Sequence, residues 1–361
     1  MLYDMIARIQ FEKRSGAARS VLFFAPLLSV VVGLCFAGIF IGVTGKNPLA
    51  IYILMFEGAF GSAYGLSETV VKAIPLMLTS LAVSLAFRMQ LWNIGAEGQL
   101  YMGAFGATWL ALNFPDWPNY VLLPAMLALG FIMGGLWGLL PAIPRAYFKV
   151  NETITTLLLN YVAILWVDYL VYGPWKDPNG FNFPITAPFS DSAVLPSLGP
   201  TRIHAGLFLA ILAAGVLYVV LKHTKWGFEI RVSGESAVAA NYAGMNYIKN
   251  ILLVMFISGG LAGIAGMTEV SGITQRLQHG ISPGYGYSAI IIAWLARLNP
   301  WAIVIVSFVF GGLLVGGYSI QTSGLPAATV AMLQGAILFF VVGGEIFVEH
   351  RLKISGKRGN K

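Results

Sequence analysis

Between Leu91 and Phe105 the chain reads LWNIGAEGQLYMGAF, an apolar run whose middle carries Asn93, Glu97 and Gln99 around Gly95 and Gly98. One carboxylate and two primary amides at that spacing suit two kinds of chemistry. Together they can hydrogen-bond a polar solute, or Glu97 alone can hold a proton or a cation. A second run, NETITTLLLN, sets Asn160 two turns inside an apolar segment, where its amide needs a partner. A third, PGYGY, joins Gly284, Tyr285 and Tyr287. Tyrosine rings beside glycines can stack on a ring-shaped solute, or anchor the chain at a membrane interface.

The elements that must position these groups follow from composition. The chain has 361 residues, 57% of them hydrophobic and only 10% charged. A soluble domain carries about 25% charge, so the sequence predicts an all-α polytopic membrane protein. Ten spans are expected, near 21–43, 73–88, 92–112, 121–143, 152–173, 204–221, 250–272, 284–297, 300–320 and 325–347. Pro48 to Phe60 is apolar but short, and is expected to lie at the outer surface. Residues 1–20 form a cytoplasmic segment, 21–347 the membrane domain, and 348–361 a basic cytoplasmic tail. With the N-terminus inside, all but five of the 22 lysines and arginines (Lys46, Lys72, Lys176, Arg202 and Arg276) fall on the inner side. That asymmetry fixes the orientation and puts both termini in the cytoplasm. The net charge of +7 is therefore a topology signal and no sign of nucleic acid.

Two of the expected spans, 73–88 and 284–297, are short, and each adjoins a glycine-broken polar segment. They enter from opposite faces. This pattern predicts inverted repeats with broken helices along a pathway. Non-helical backbone at membrane depth is tolerated only where it is buried in protein or lines water. Glu97 has two readings: a group at a pathway-lining break, where with Asn93 and Gln99 it bonds a polar solute or holds the break in shape, or a first-turn carboxylate at the cytoplasmic surface favoured by the helix dipole. Asn151 is a candidate N-cap and Glu152 suits a first turn.

The outer loop from Tyr172 to Ile203 is either a docking surface or a cover. The inner loop 222–250 contains SGESAVAANYAGMN. There Ser233 is the expected cap, Glu235 a first-turn acid and Gly244 the stop of a small-faced helix of about nine residues. Cys35, the one cysteine, is expected to be a buried apolar residue. The four histidines lie far apart and offer no metal site. No P-loop, HExxH or GxSxG is present, so the chain has no ATPase site of its own and binds no cofactor.

LWNIGAEGQLYMGA, VNETITTLLLNY, GESAVAANYAGMN and PGYGYSAIIIAWLARLNP resemble, in order, the permease subunits of ABC importers in the branched-chain amino acid and simple-sugar group. NIGAEGQ is most similar to the nucleoside and simple-sugar subset that works with a Bmp-type binding protein. The resemblance implies a bacterial inner-membrane importer subunit that passes a nucleoside or related simple-sugar-containing solute. Its implied partners are an extracytoplasmic binding protein, a second permease (a different paralogue or a copy of itself), membrane lipid, and a cytoplasmic ATPase that uses ATP and Mg. It also implies that Gly234, Glu235, Ala239, Ala240, Asn241, Tyr242, Ala243 and Gly244 form the coupling helix that enters the ATPase. Here the chain departs from the family, with Ser236 and Ala237 where Asn-Pro is common and Asn241 where an arginine is. The alternative is an ion-coupled secondary transporter, for which Glu97 is the acid at hand, with Asp168 and Glu269 near span ends.

Overall fold

The computed structural model describes residues 9–13, 19–321, 323–326 and 328–354, with side chains between 28 and 344. Its helices are α1 (Arg19–Val43), α2 (Pro48–Phe60), α3 (Ala63–Arg88), α4 (Ala96–Asn113), α5 (Asn119–Phe148), α6 (Glu152–Tyr172) and α7 (Gly206–His223). They continue as α8 (Lys225–Glu235), α9 (Ala237–Tyr242), α10 (Tyr247–Glu269), α11 (Tyr285–Leu295), α12 (Pro300–Gln321) and α13 (Ala328–Glu349). Strands β1 (Ile9–Lys13) and β2 (His350–Ile354) pair antiparallel, Ile9 opposite Ile354. Each expected span has its helix: α1, α3 to α7 and α10 to α13. Six of these are individually long and apolar enough to cross a membrane. The rest of residues 1–20 and of the tail 348–361 lies outside the described residues.

The chain forms two units, Met1–Met55 with Gly317–Lys361, and Phe56–Gly316. In the first unit α1 lies along α13. Gly33, Ala37 and Ile41 recur every fourth residue on the inward face, and the Ile337 backbone comes to 3.0 Å of where a Gly33 Cβ would stand. Cys35 falls between these positions and is exposed, against its expected burial. Helical periodicity decides this: two residues from an inward position is the opposite face. The N-terminal part of α2 turns 113° from α1, as suits a helix lying across the span direction.

In the second unit α10 is the central helix, packed against α3, α4 and α5. Its row Gly259, Gly263 and Gly266 lets the carbonyls of Gly134, Gly130 and Leu100 come into contact where any Cβ would collide. Lipid supplies no hydrophobic drive between helices, so this close backbone approach is what holds them together.

Span 73–88 is not short. α3 runs 26 residues from a Ser62 N-cap that accepts the Gly65 N–H at 3.0 Å. Its first turns carry Glu68 and Lys72, which mask it as a span. Both are paired inside the fold: Glu68 with Arg202 at 3.2 Å and Lys72 with Glu269 at 3.6 Å. α11 is short as expected. At 11 residues it is about 16 Å long, near half of a ~30 Å hydrocarbon core. The sequence "long helix, glycine-marked break, helix" thus occurs twice, as α3–α4 and α10–α11.

The outer loop is a cover. Thr186 and Phe189 donate to the carbonyls of Leu277 and Gln275, and Leu195 donates to that of Ser271. This ties the loop along the segment that follows α10. Its tip is the most exposed part, with Phe181 at 92% exposure.

Candidate functional site

The two glycine-broken segments meet. α4 begins at Ala96 and α11 at Tyr285, and the Gly286 Cα touches the Glu97 backbone so closely that no Cβ fits between them. Glu97 joins the two ends. Gly286 N–H donates to its Oε2 at 2.7 Å, and Ser282 and Gly284, whose N–H donates to the Ser282 hydroxyl at 3.1 Å, lie beside the carboxylate. Glu97 therefore lies in the first turn of its own helix and caps the first turn of another. Two positive helix ends face one negative charge.

The magnitudes are compatible with an ionised, buried Glu97, which is 2% exposed. A charge at the centre of a membrane helix costs about 3 kcal/mol or more. Each hydrogen bond to a charged group returns about 1.5–3 kcal/mol, and a partly buried helix terminus up to about 2 kcal/mol. These contributions offset part of the cost of burying the carboxylate.

The amides complete the joint. Asn93 and Gln99 form a reciprocal pair, Nδ2 to Oε1 at 3.0 Å and Nε2 to Oδ1 at 3.1 Å. Asn93 Oδ1 also accepts the Gly95 N–H at 3.0 Å, and its Nδ2 reaches Ser258 Oγ at 2.9 Å. Ser258 in turn donates to the Ala82 carbonyl at 2.7 Å, so α10 and α3 are both tied to the break. Asn160, two turns into α6, finds the partner it needs. Its Oδ1 accepts the Gly98 N–H at 2.8 Å, and its Nδ2 serves the Ile94 carbonyl at 2.9 Å and Tyr287 Oη at 3.3 Å. Thr156 Oγ1 accepts the Ile94 N–H at 3.2 Å.

Of the nine residues expected at the pathway, Asn93, Gly95, Glu97, Gly98, Gln99, Asn160 and Tyr285 are buried, Gly284 is half-buried and Tyr287 is exposed. Gly284, at φ +94, takes the left-handed turn that starts α11. Tyr285 is not open to a solute. It is fully buried and turns to the other side, where Lys72 Nζ donates to its hydroxyl at 3.1 Å and the hydroxyl meets Glu269. α11 alternates its two tyrosines between these clusters because residues two apart on a helix face away from each other.

The inner loop also differs from the expected helix. Ser233 is buried inside α8, and Glu235 ends that helix. The break comes at Ser236, whose hydroxyl accepts the Ala239 N–H at 3.2 Å and caps α9. α9 has six residues, about 9 Å. Gly244, at φ +75, follows its end. Ala240 points into the chain, fully buried, whereas Val238 is 65% and Tyr242 91% exposed. Ala239, Asn241 and Ala243 are exposed with them. The expected cap Ser233 is taken up instead by the longer upstream helix, which is capped by Thr224.

Ser258 and the Lys72–Glu269–Tyr285 cluster escaped the sequence reading. Ser258 looks like one more small residue in a small-residue row. Lys72 and Glu269 are 197 positions apart, and nothing local marks them as partners. Asn151 does cap α6, accepting from Thr153 N at 2.9 Å, and Glu152 holds Arg145 at 3.0 Å. No group of metal-binding side chains occurs among the described residues.

The chain resembles known proteins over nearly its whole length. It is 36% identical to the glucose ABC transporter permease protein TsgB13 of Haloferax volcanii, covering 99% of this chain and 97% of that one. It is 34% identical to the guanosine ABC transporter permease protein NupP of Bacillus subtilis, over 92% and 97%. With the nucleoside ABC transporter permease protein NupB of Lactococcus lactis it shares 29% over 91% and 92%. A solved metal-chelate type ABC transporter in an inward-facing conformation has the same fold at TM-score 0.50 and 16% identity, over 84% of this chain and 98% of that one. Residues 65–342 match the family model described as branched-chain amino acid transport system / permease component. The chain belongs to that family and is a multi-pass permease subunit of an ABC transporter in the bacterial inner membrane.

Proposed function

We propose that this subunit forms part of the translocation pathway of an ATP-driven importer for a nucleoside or related sugar-containing solute. An extracytoplasmic binding protein delivers the solute, a second permease completes the pathway, and a cytoplasmic ATPase hydrolyses ATP with Mg. The relatives named for guanosine, nucleosides and glucose support this solute class.

The contact of α8 with α3 carries the mechanism. Gly234 presses on the Arg88 carbonyl and Met89, the last turn of α3, just before the break at Leu91 to Gly95. α9, with Val238, Asn241 and Tyr242 outward, projects from the end of α8. A push on α9 by the ATPase would reach the break through backbone contact with no flexible side chain between. Because Glu97 ties that break to α11, both half-helices would move as one. The gradient-driven alternative is disfavoured by the relatives, which are named as ABC transporter permeases.

Proteoliposomes holding all subunits, with ATP on the ATPase side, should accumulate guanosine or adenosine delivered by the cognate binding protein. Accumulation should vanish when the Walker lysine of the ATPase is replaced. Uptake that survives that change, and collapses instead with an ionophore, overturns the reading.

A further inference from the structure

A cavity of about 330 Å³ lies between the end of α3 and the end of α11, lined by Phe87, Gln90, Trp92, Trp294 and Leu298. No part of the joint described above uses it. Three aromatic rings close on it. Phe87 and Trp92 have centroids 5.1 Å apart, Trp92 and Trp294 5.9 Å, and Phe87 and Trp294 6.1 Å. The rings are tilted by 31–56° and do not cover one another's faces. Phe87 is buried at 8% exposure, but Trp92 is 45% exposed. Trp92 is therefore the accessible aromatic wall of the cavity.

The walls are fixed. Trp92 N–H donates to Glu152 Oε1 at 3.3 Å, and Arg88 Nη2 holds the Leu298 carbonyl at 2.7 Å. The residue after Trp92 is Asn93, so the cavity adjoins the break itself. Both helices end here in left-handed turns. Gln90 has φ +55, Arg297 +49 and Leu298 +58. Glycine is the usual residue for such a turn, because a Cβ there costs about 1 kcal/mol. Strain of that kind, retained at a cavity, points to use of the side chain. At Gln90 the side chain is an exposed amide on the cavity rim.

We propose that this cavity is a binding subsite for the planar ring of the solute, a purine or pyrimidine base. This rests on the nucleoside reading above. The volume lies at the small end of ligand pockets, ~300–1,000 Å³, a size for a base with part of its pentose. Indole and phenyl faces stack on any base, and stacking is worth about 1–3 kcal/mol per base. Gln90 can both donate to and accept from the base edge. The Gly234 contact with Arg88 and Met89 puts the subsite next to the segment on which α8 presses.

The test uses the complete complex in proteoliposomes, with adenosine and ribose as probes. ATP hydrolysis stimulated by loaded binding protein serves as the integrity control. Trp92→Ala and Gln90→Gly should each lower the initial adenosine uptake rate at least fivefold, with stimulated hydrolysis within twofold of the parent. Trp92→Phe should restore uptake. Gln90→Gly relieves the turn, so it removes the amide without endangering the fold. Adenosine uptake within twofold of the parent in both variants overturns the subsite. So does loss of stimulated hydrolysis in step with uptake in Trp92→Ala, since the ring would then be packing only. Acyl chains as the occupant would appear as quenching by brominated lipid that adenosine does not relieve, read as the difference between the parent and Trp92→Phe, and would also overturn it. A parent complex that moves ribose or glucose but no adenosine refutes the nucleoside reading, a result distinct from all of these.

Discussion

At the residue scale, Glu97 settles which of its two roles the fold allows. It lies in a first turn, as the dipole argument expects, but it is buried and serves a second helix as well. Glu97→Gln keeps its volume while removing the charge and turning an amide donor toward other donors. The loss of one charge-assisted bond and its helix-end attraction is about 2 kcal/mol. In a unit of this size that lowers the melting temperature by about 4–8 °C. A thermal-shift measurement in detergent should show it, alongside at least a tenfold fall in uptake. His204 gives a pH signature. Its Nδ1 accepts the Gly206 N–H at 3.2 Å, and it is 1% exposed just ahead of α7. Burial, and then the Arg202 charge, push its pKa down from 6.5 to about 4. The unfolded chain takes up the proton first as pH falls. Stability is thus whole above pH 6.5 and lost between 6.5 and 4, by at most about 3 kcal/mol. Melting temperatures at pH 7.5 and 5.0 should differ in that direction, and the difference should shrink in His204→Gln.

At the element scale, caps and breaks were partly legible. Asn151, Gly95 and Gly284 announced real helix starts, Asn151 through its side-chain cap and Gly284 through its left-handed turn, because both effects are local, whereas Gly98 lies inside the first turn of α4. The start of α3 was hidden, since Glu68 and Lys72 look soluble until their partners are known. The start of α9 was misplaced, with Ser233 expected as the cap where Ser236 forms it. Ser236→Ala removes the cap that forms and costs about 1 kcal/mol. With α9 only six residues long, that should fray it and lower solute-stimulated ATP hydrolysis severalfold, while the melting temperature falls by no more than about 2–4 °C. Full stimulation in that variant would remove α9 from the coupling route. Ala240 is a poor probe of the partner, because it faces inward and a bulky side chain there would first disturb the chain itself.

At the scale of the second unit, polar pairs tie together helices that the sequence leaves unrelated. Lys72, Glu269 and Tyr285 join α3, α10 and α11, and Ser258 with Asn93 joins α10 to the break. Removing one member of a buried pair strands the other. Lys72→Met should therefore cost about 3–5 kcal/mol, and adding Glu269→Gln should recover most of it. Melting temperatures of the two singles and the double check this. An additive result would mean that the pair is not coupled.

The sequence by itself determined the class, an apolar helix at each of the ten expected places, and the positions of both breaks. Those depend on composition, on runs of apolar residues and on residues such as glycine and asparagine whose effect is local. It also placed Asn93, Glu97, Gln99 and Asn160 as one kind of residue in one kind of setting. Only the tertiary structure decided that the two breaks meet, that Glu97 is the group joining them, and that Tyr285 and Tyr287 part company. The physical reason is distance along the chain. Glu97 and Gly286 are 189 positions apart, and no local pattern encodes which helix end a buried carboxylate will cap. That choice is made by packing, where the Gly286 backbone comes close enough to Glu97 for the bond to form.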